Sequence, residues 1–199
     1  MTGLLVISEC RAWVGDREAR AYDRVRARLE AVAGFPVEAR QYEDLTRLDA
    51  DAVVLSGSFA PWDAHVEGAL ARLGDVVAAY PGPVLGICAG MQLQARFAGG
   101  TLGPAASAPP TGFGPVDVLD DTDLLRGLPA RVPVYKHHTD EIVAAPPSFR
   151  VLARSEECAI EAIADEERPW WGTQFHPEEF DRLHPHGEQV LANFFRLAT

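Results

Sequence analysis

With 199 residues, 47% of them hydrophobic, the chain is long enough for one domain with a sizeable core and too short for two comfortable ones. Its 18 Lys and Arg stand against 29 Asp and Glu, a net charge of -11 that argues against nonspecific binding to nucleic acid or to an anionic membrane. No apolar run approaches the roughly 20 residues that span a bilayer, and Leu4-Leu5-Val6-Ile7 follows the N-terminus with no basic lead. Cys10, Cys88 and Cys158 form an odd, sparse set that suits a reducing, cytoplasmic setting rather than a disulfide scaffold.

In chain order, Leu4 to Ser8 reads as a buried strand. The polar segment through Asp16 leads into an amphipathic helix in which Ala19, Tyr22, Val25, Leu29 and Val32 recur at helical spacing, with Gly34 and Pro36 at its stop. Val37 to Tyr42 is a second strand, followed by an acidic connection. Ala52 to Leu55 is a third, running into the turn formers Ser56, Gly57 and Ser58. Val66, Ala69, Leu70, Leu73, Val76, Val77 and Tyr80 make the next helical stripe, which Pro81-Gly82-Pro83 ends. This alternation predicts an α/β fold with a mostly parallel open sheet and helices on both faces, its ligands gathering beyond the carboxyl ends of the strands.

The second half changes character. Gly99 to Gly114, rich in Gly, Pro and Ala, predicts loops with a short strand pair. The runs 116–119, 132–135, 149–153 and 159–163 predict a smaller element of short strands, some antiparallel, with Pro133 at an edge or bulge. A last helix carries Val190, Leu191, Phe194, Phe195 and Ala198 on one face. No repeat or linker interrupts the chain, so a single domain over 1–199 is expected.

Two stretches carry chemistry. The apolar run Val84 to Ile87 delivers Cys88 into Gly86-Ile87-Cys88-Ala89-Gly90, the spacing of a nucleophile elbow, in which a strand reverses sharply into a helix. A thiol at a helix N-terminus can have its pKa lowered from a free value of about 8.5. The bland alternative is a buried structural cysteine beside glycines needed for packing. Gly172-Thr173-Gln174-Phe175-His176-Pro177-Glu178 brings a second short strand into a histidine with a carboxylate two positions on, which suits a base and its orienting acid.

Together these two stretches resemble the signatures of class I glutamine amidotransferases. Leu55-Ser56-Gly57-Ser58 is similar to that family's oxyanion strand, and Val134-Tyr135-Lys136-His137-His138-Thr139-Asp140 to its Ser-His-x-Asp segment, most like that of the GMP synthetase branch. The resemblance implies a flavodoxin-like fold and hydrolysis of L-glutamine through a cysteine thioester. Cys88 would attack, His176 would shuttle the proton and Glu178 would orient the imidazole. The amides of Ser58, after Gly57, and of Ala89 would hold the oxyanion. Gln92, His138 and Asp140 would face the substrate; Gln92 could instead be an exposed first-turn residue, and Asp140 a turn cap.

Three positions depart from the family pattern. Ser58 stands where a second glycine is common, which would be strained at positive φ. His137 replaces a serine, and Thr111-Gly112 replaces a basic-acidic pair. No cofactor and no metal are expected: His184, His186 and Glu188 surround Pro185 without a second ligand pair and read as a loop. Trp170 and Trp171 read as packing, and Asp165 to Arg168 as a solvated turn.

The chain ends soon after the histidine stretch and shows no ATP-binding fingerprint, so ammonia is expected to pass to a separate synthase chain. The alternatives are a freestanding γ-glutamyl hydrolase or peptidase, which would want a roomier pocket, and a regulatory module with a relic triad.

Overall fold

The computed structural model describes residues 1–107 and 109–198. Strand β1 (Gly3–Ile7) leads through a short 3-10 turn into helix α1 (Asp16–Ala33), then β2 (Val37–Gln41) and β3 (Ala52–Leu55). Helix α2 (Glu67–Ala78), β4 (Val84–Ile87) and α3 (Ala89–Phe97) complete the alternating half. Strands β5 (Thr101–Pro104), β6 (Gly112–Val118), β7 (Arg131–Lys136), β8 (Asp140–Ala144), β9 (Phe149–Arg154), β10 (Ala162–Asp165) and β11 (Trp170–Thr173) follow, and α4 (His186–Leu197) comes last.

The main sheet has nine strands in the order β2-β1-β3-β4-β11-β10-β9-β6-β7. From β2 to β11 every pairing is parallel, and from β11 to β7 every pairing is antiparallel. The fold is thus the flavodoxin-like α/β sheet expected, with its antiparallel strands continuing the same sheet and a separate β5-β8 pair beside it. Two cores lie on opposite faces. One gathers Leu29 of α1 with Val190, Leu191 and Phe194 of α4. The other gathers Leu70, Leu73 and Val77 of α2 with Met91 of α3. Each such aliphatic side chain contributes about 1.5–3 kcal/mol on burial.

Local chemistry explains the boundaries. Helix α1 begins where the Glu18 carboxylate accepts the Gly15 N–H at 3.2 Å, and ends on Gly34, at φ 72, whose N–H bonds the Glu30 carbonyl. In α2 the buried stripe is Ala69, Leu70, Leu73 and Val77. Val66 precedes the helix and is exposed, and Tyr80 lies beyond its end, bonded to the Ala50 carbonyl.

Two strand expectations are corrected. The strand pair expected within 99–114 contributes only β5 and the start of β6; the partner of β5 is β8, which the sequence pattern did not announce. Residue 108 of that stretch lies outside the described residues. Strand β10 begins at Ala162 rather than Ala159, because the register against β9 shifts between Ala162 and Ile163, and Glu161 turns its side chain inward to Ser155. Pro133 sits in the edge strand β7, as expected. The antiparallel half curls back so that Tyr135 of β7 bridges His176, whose N–H donates to the Tyr135 carbonyl at 2.8 Å. That closure brings the end of β7 to the carboxyl edge of the parallel strands. No described helix is long and apolar enough to cross a membrane.

Candidate active site

Cys88 occupies the reversal between β4 and α3 at φ 52 and ψ -110. A non-glycine residue there costs on the order of 1–3 kcal/mol, a strain that persists only where the surroundings enforce it. The enforcement is visible. The Cys88 N–H extends the sheet to the Thr173 carbonyl at 2.7 Å. A Cβ on Gly90 would lie 2.3 Å from the Leu55 carbonyl oxygen, so only glycine lets the first turn of α3 press against β3. The sulfur receives the Gln174 side-chain amide at 3.6 Å and meets the His137 carbonyl oxygen at 3.7 Å.

His176 is delivered by β11 and by its bridge to Tyr135. Its Nδ1 lies 2.8 Å from Glu178 Oε1, and Glu178 is buried. Arg28 of α1 clamps this loop through the carbonyls of Glu178 and Phe180. Nε2 faces the His137 carbonyl at 3.2 Å. Burial opposes charge on the ring, but Glu178 first and the Cys88 sulfur second outweigh it and hold the imidazole pKa well above its ordinary value. Both ring nitrogens face groups that only accept, so the doubly protonated ring satisfies both contacts. Gly57 packs against the pair: a Cβ there would lie 3.1 Å from His176 Cε1 and 3.6 Å from Cys88 Cβ.

The loop after β3 is held by partners that sequence reasoning missed. The Gly57 carbonyl accepts from Ser56 Oγ at 2.7 Å and Tyr22 Oη at 3.2 Å. Because a trans peptide points its N–H opposite its C=O, these hydroxyls also set the direction of the Ser58 amide. Beneath the loop lies Glu9, fully buried. Its carboxylate accepts the N–H groups of Cys10 at 3.0 Å, Phe59 at 2.6 Å and Ala60 at 3.1 Å, and the hydroxyls of Ser58 at 2.9 Å and Tyr22 at 3.3 Å. Burial, with Glu9 adding to it, pushes the Tyr22 phenol far up, so it stays a donor. The expected strain at Ser58 is absent: among the described residues only Cys88 and Asp123 combine a side chain with positive φ. The Ser58 hydroxyl instead turns back to Glu9. A signal was available, since a lone acid closes the apolar run at the carboxyl end of β1.

Cys88, Ala89, Ser58, Gln92, His138 and Asp140 line one cleft of about 170 Å³. Gln92 is buried rather than exposed; its amide donates to the Asp140 carbonyl at 2.6 Å and to Gln174 Oε1 at 3.0 Å, tying the cleft wall to α3. Asp140 is half-buried and accepts from the Thr139 hydroxyl. His138 is buried with neither ring nitrogen hydrogen-bonded. Thr111 and His137, both expected to depart from the family pattern, meet each other, Thr111 Oγ1 lying 2.9 Å from His137 Nδ1. A second cavity, of about 400 Å³, opens on the His176 side of Cys88 between Tyr22 and Glu179.

Outside this cluster, His184 stacks on Phe113 with ring centroids 3.8 Å apart and pairs with Asp181, while Trp170 is buried under the Arg168 guanidinium. The turn over 165–168 forms, but Asp165 is buried at the end of β10, where it accepts from Arg168.

A family model described as glutamine amidotransferase class-I matches residues 20–198. A GMP synthase (glutamine-hydrolyzing) subunit of Pyrococcus abyssi is 44% identical over 115 residues, covering 58% of this chain and 60% of that protein. The chain thus spans well under two thirds of that relative. The Sulfolobus acidocaldarius protein of the same name is 35% identical over 172 residues, covering 85% of this chain and 86% of its own length. A solved structure from Thermoplasma acidophilum superposes with TM-score 0.84 at 25% identity, covering 100% of this chain and 94% of that one. A glutamine amidotransferase from Thermotoga maritima shares the fold with TM-score 0.72 at 18% identity, covering 99% and 98%.

Proposed function

The chain belongs to the class I glutamine amidotransferase family, and from that premise we propose that it hydrolyses L-glutamine to glutamate and ammonia through Cys88 and passes the ammonia to a separate synthase. The observation that carries the proposal is the charge line from Glu178 through His176 to the shared His137 carbonyl, with Cys88 Sγ at the same oxygen. In this reading Cys88 Sγ attacks the substrate's side-chain carbonyl carbon. The amides of Ser58 and Ala89 take the oxyanion, and His176 protonates the departing ammonia. Water, deprotonated by His176, then cleaves the thioester and frees glutamate and the thiolate. Glu178 stabilises the imidazolium before ammonia leaves and after water is deprotonated, and orients the neutral ring between those steps.

Gln92, His138 and Asp140 are proposed to face the amino-acid end of glutamine. A cleft of about 170 Å³ suits one amino-acid side chain better than the larger ligand of a γ-glutamyl hydrolase. Relatives named as GMP synthase subunits support a GMP synthase-type partner. We also read residues 1–199 as one amidotransferase domain working in the cytoplasm, a reading supported by the continuous nine-stranded sheet and the three unpaired cysteines.

The test is ammonia release from glutamine by the purified protein, alone and with its synthase partner, together with mass spectrometry after a glutamine-like electrophile. Release abolished by Cys88→Ala and labelling at Cys88 are expected. No release in either setting, with Cys88 unlabelled, overturns the proposal.

A further inference from the structure

His138, which lines the cleft beside Cys88, also belongs to a second, more buried cluster. Ligand-type atoms of His138, Glu141 and Cys158 all lie within 4.8 Å of one another, and the three residues are 7%, 9% and 2% exposed. Both ring nitrogens of His138 and Oε2 of Glu141 are buried without a hydrogen-bond partner. Buried polar groups are normally paired, so an unpaired His138 ring and an unpaired Glu141 oxygen beside the Cys158 thiol ask for a ligand that accepts lone pairs.

Charge points the same way. The neighbouring ammonium of Lys136 is shared by Glu157 at 3.0 Å and Glu161 at 3.2 Å, and Glu141 enters no ion pair among the described residues. The buried carboxylate of the cluster thus has no cation of its own among the described residues.

We propose that His138, Glu141 and Cys158 form a binding site for one divalent cation of the zinc class. A nitrogen, a sulfur and an oxygen donor match zinc, and the thiolate disfavours magnesium and calcium. Zinc bonds of about 2.0–2.3 Å would draw the donor atoms roughly 1 Å closer, within reach of side-chain rotation. Neither ring nitrogen of His138 is engaged in a hydrogen bond, so one can turn its lone pair to the ion. The Cys158 thiol donates to the Ile160 carbonyl at 3.3 Å; on binding its S–H bond breaks, a metal–sulfur bond forms and the proton leaves to solvent. A cavity of about 500 Å³ lined by Asp117, Glu141, Glu156 and Glu157, with Arg154 at its wall, supplies an acidic route in.

The site would tie the loop before β10 to the start of β8 and so stiffen the wall that carries His137 and Asp140. It does not depend on the proposed glutaminase reaction and is read without it.

The full-length protein, stripped by chelator, is titrated with Co²⁺ and then Zn²⁺. Expected are one Co²⁺ per chain, a thiolate-to-cobalt charge-transfer band, and displacement by one equivalent of zinc. Cys158→Ser should lose the band and bind at least tenfold more weakly. Glu141→Gln should keep the band and also bind at least tenfold more weakly, and it decides the matter if Cys158→Ser proves unfolded by circular dichroism. Absence of saturable binding near one equivalent, wild-type binding by Glu141→Gln, or a band that survives Cys158→Ser but disappears in Cys88→Ser overturns the proposal.

Discussion

His176 Nε2 lies 3.2 Å from the carbonyl oxygen of His137, an acceptor that has no proton to offer. With Nδ1 held against Glu178, both ring contacts favour the protonated imidazole, whose pKa is held well above its ordinary value chiefly by the Glu178 charge.

The ring should therefore titrate by NMR well above the ordinary histidine value of about 6.5, and Glu178→Gln should bring it down. A raised folded pKa stabilises the fold fully below the unfolded value and loses that contribution as pH rises through the folded one. The stability gap between wild type and Glu178→Gln should accordingly be widest in acid and shrink on the alkaline side. Loss of glutaminase turnover by about 10²- to 10⁴-fold should accompany the substitution.

Strain at Cys88 separates two variants that both lack the sulfur. Ala keeps the unfavourable φ of 52 whereas Gly does not, so Cys88→Gly should be more stable than Cys88→Ala by about 1 kcal/mol in chemical denaturation. Equal stability would mean that the turn is not strained in solution.

Glu9 holds the loop that carries Ser58 and does not line the cleft. Glu9→Gln sets an amide donor among the N–H groups of Cys10, Phe59 and Ala60 and should cost about 2–4 kcal/mol of stability. If the loop presents the Ser58 amide to the oxyanion, kcat should fall about 10- to 100-fold while KM moves less. A change confined to KM would assign Glu9 to substrate binding instead.

Thr111 and His137 bond to each other at 2.9 Å. Thr111→Val removes that bond while preserving shape. A loss of about 1 kcal/mol, or roughly fivefold in kcat/KM, is expected, with the thermal midpoint nearly unchanged. Unaltered kinetics would show that the His137 carbonyl is held by β7 alone.

The alternating half of the fold was legible in the amino-acid sequence because its determinants are local. Apolar runs of four or five residues, 3.6-residue stripes and glycine or proline stops need no knowledge of distant partners. The elbow around Cys88 and the stretch around His176 were legible for the same reason: each is a short backbone device with its own glycine or strand signature. The pairing of β5 with β8, the bulge that delays β10 and the curl that sets Tyr135 against His176 depend on residues far apart in the chain. So do the burial of Glu9 under the loop at Ser58 and the meeting of His138 with Cys158. Such contacts follow from how the sheet twists and closes, and buried polar groups find partners across that closure rather than along the sequence.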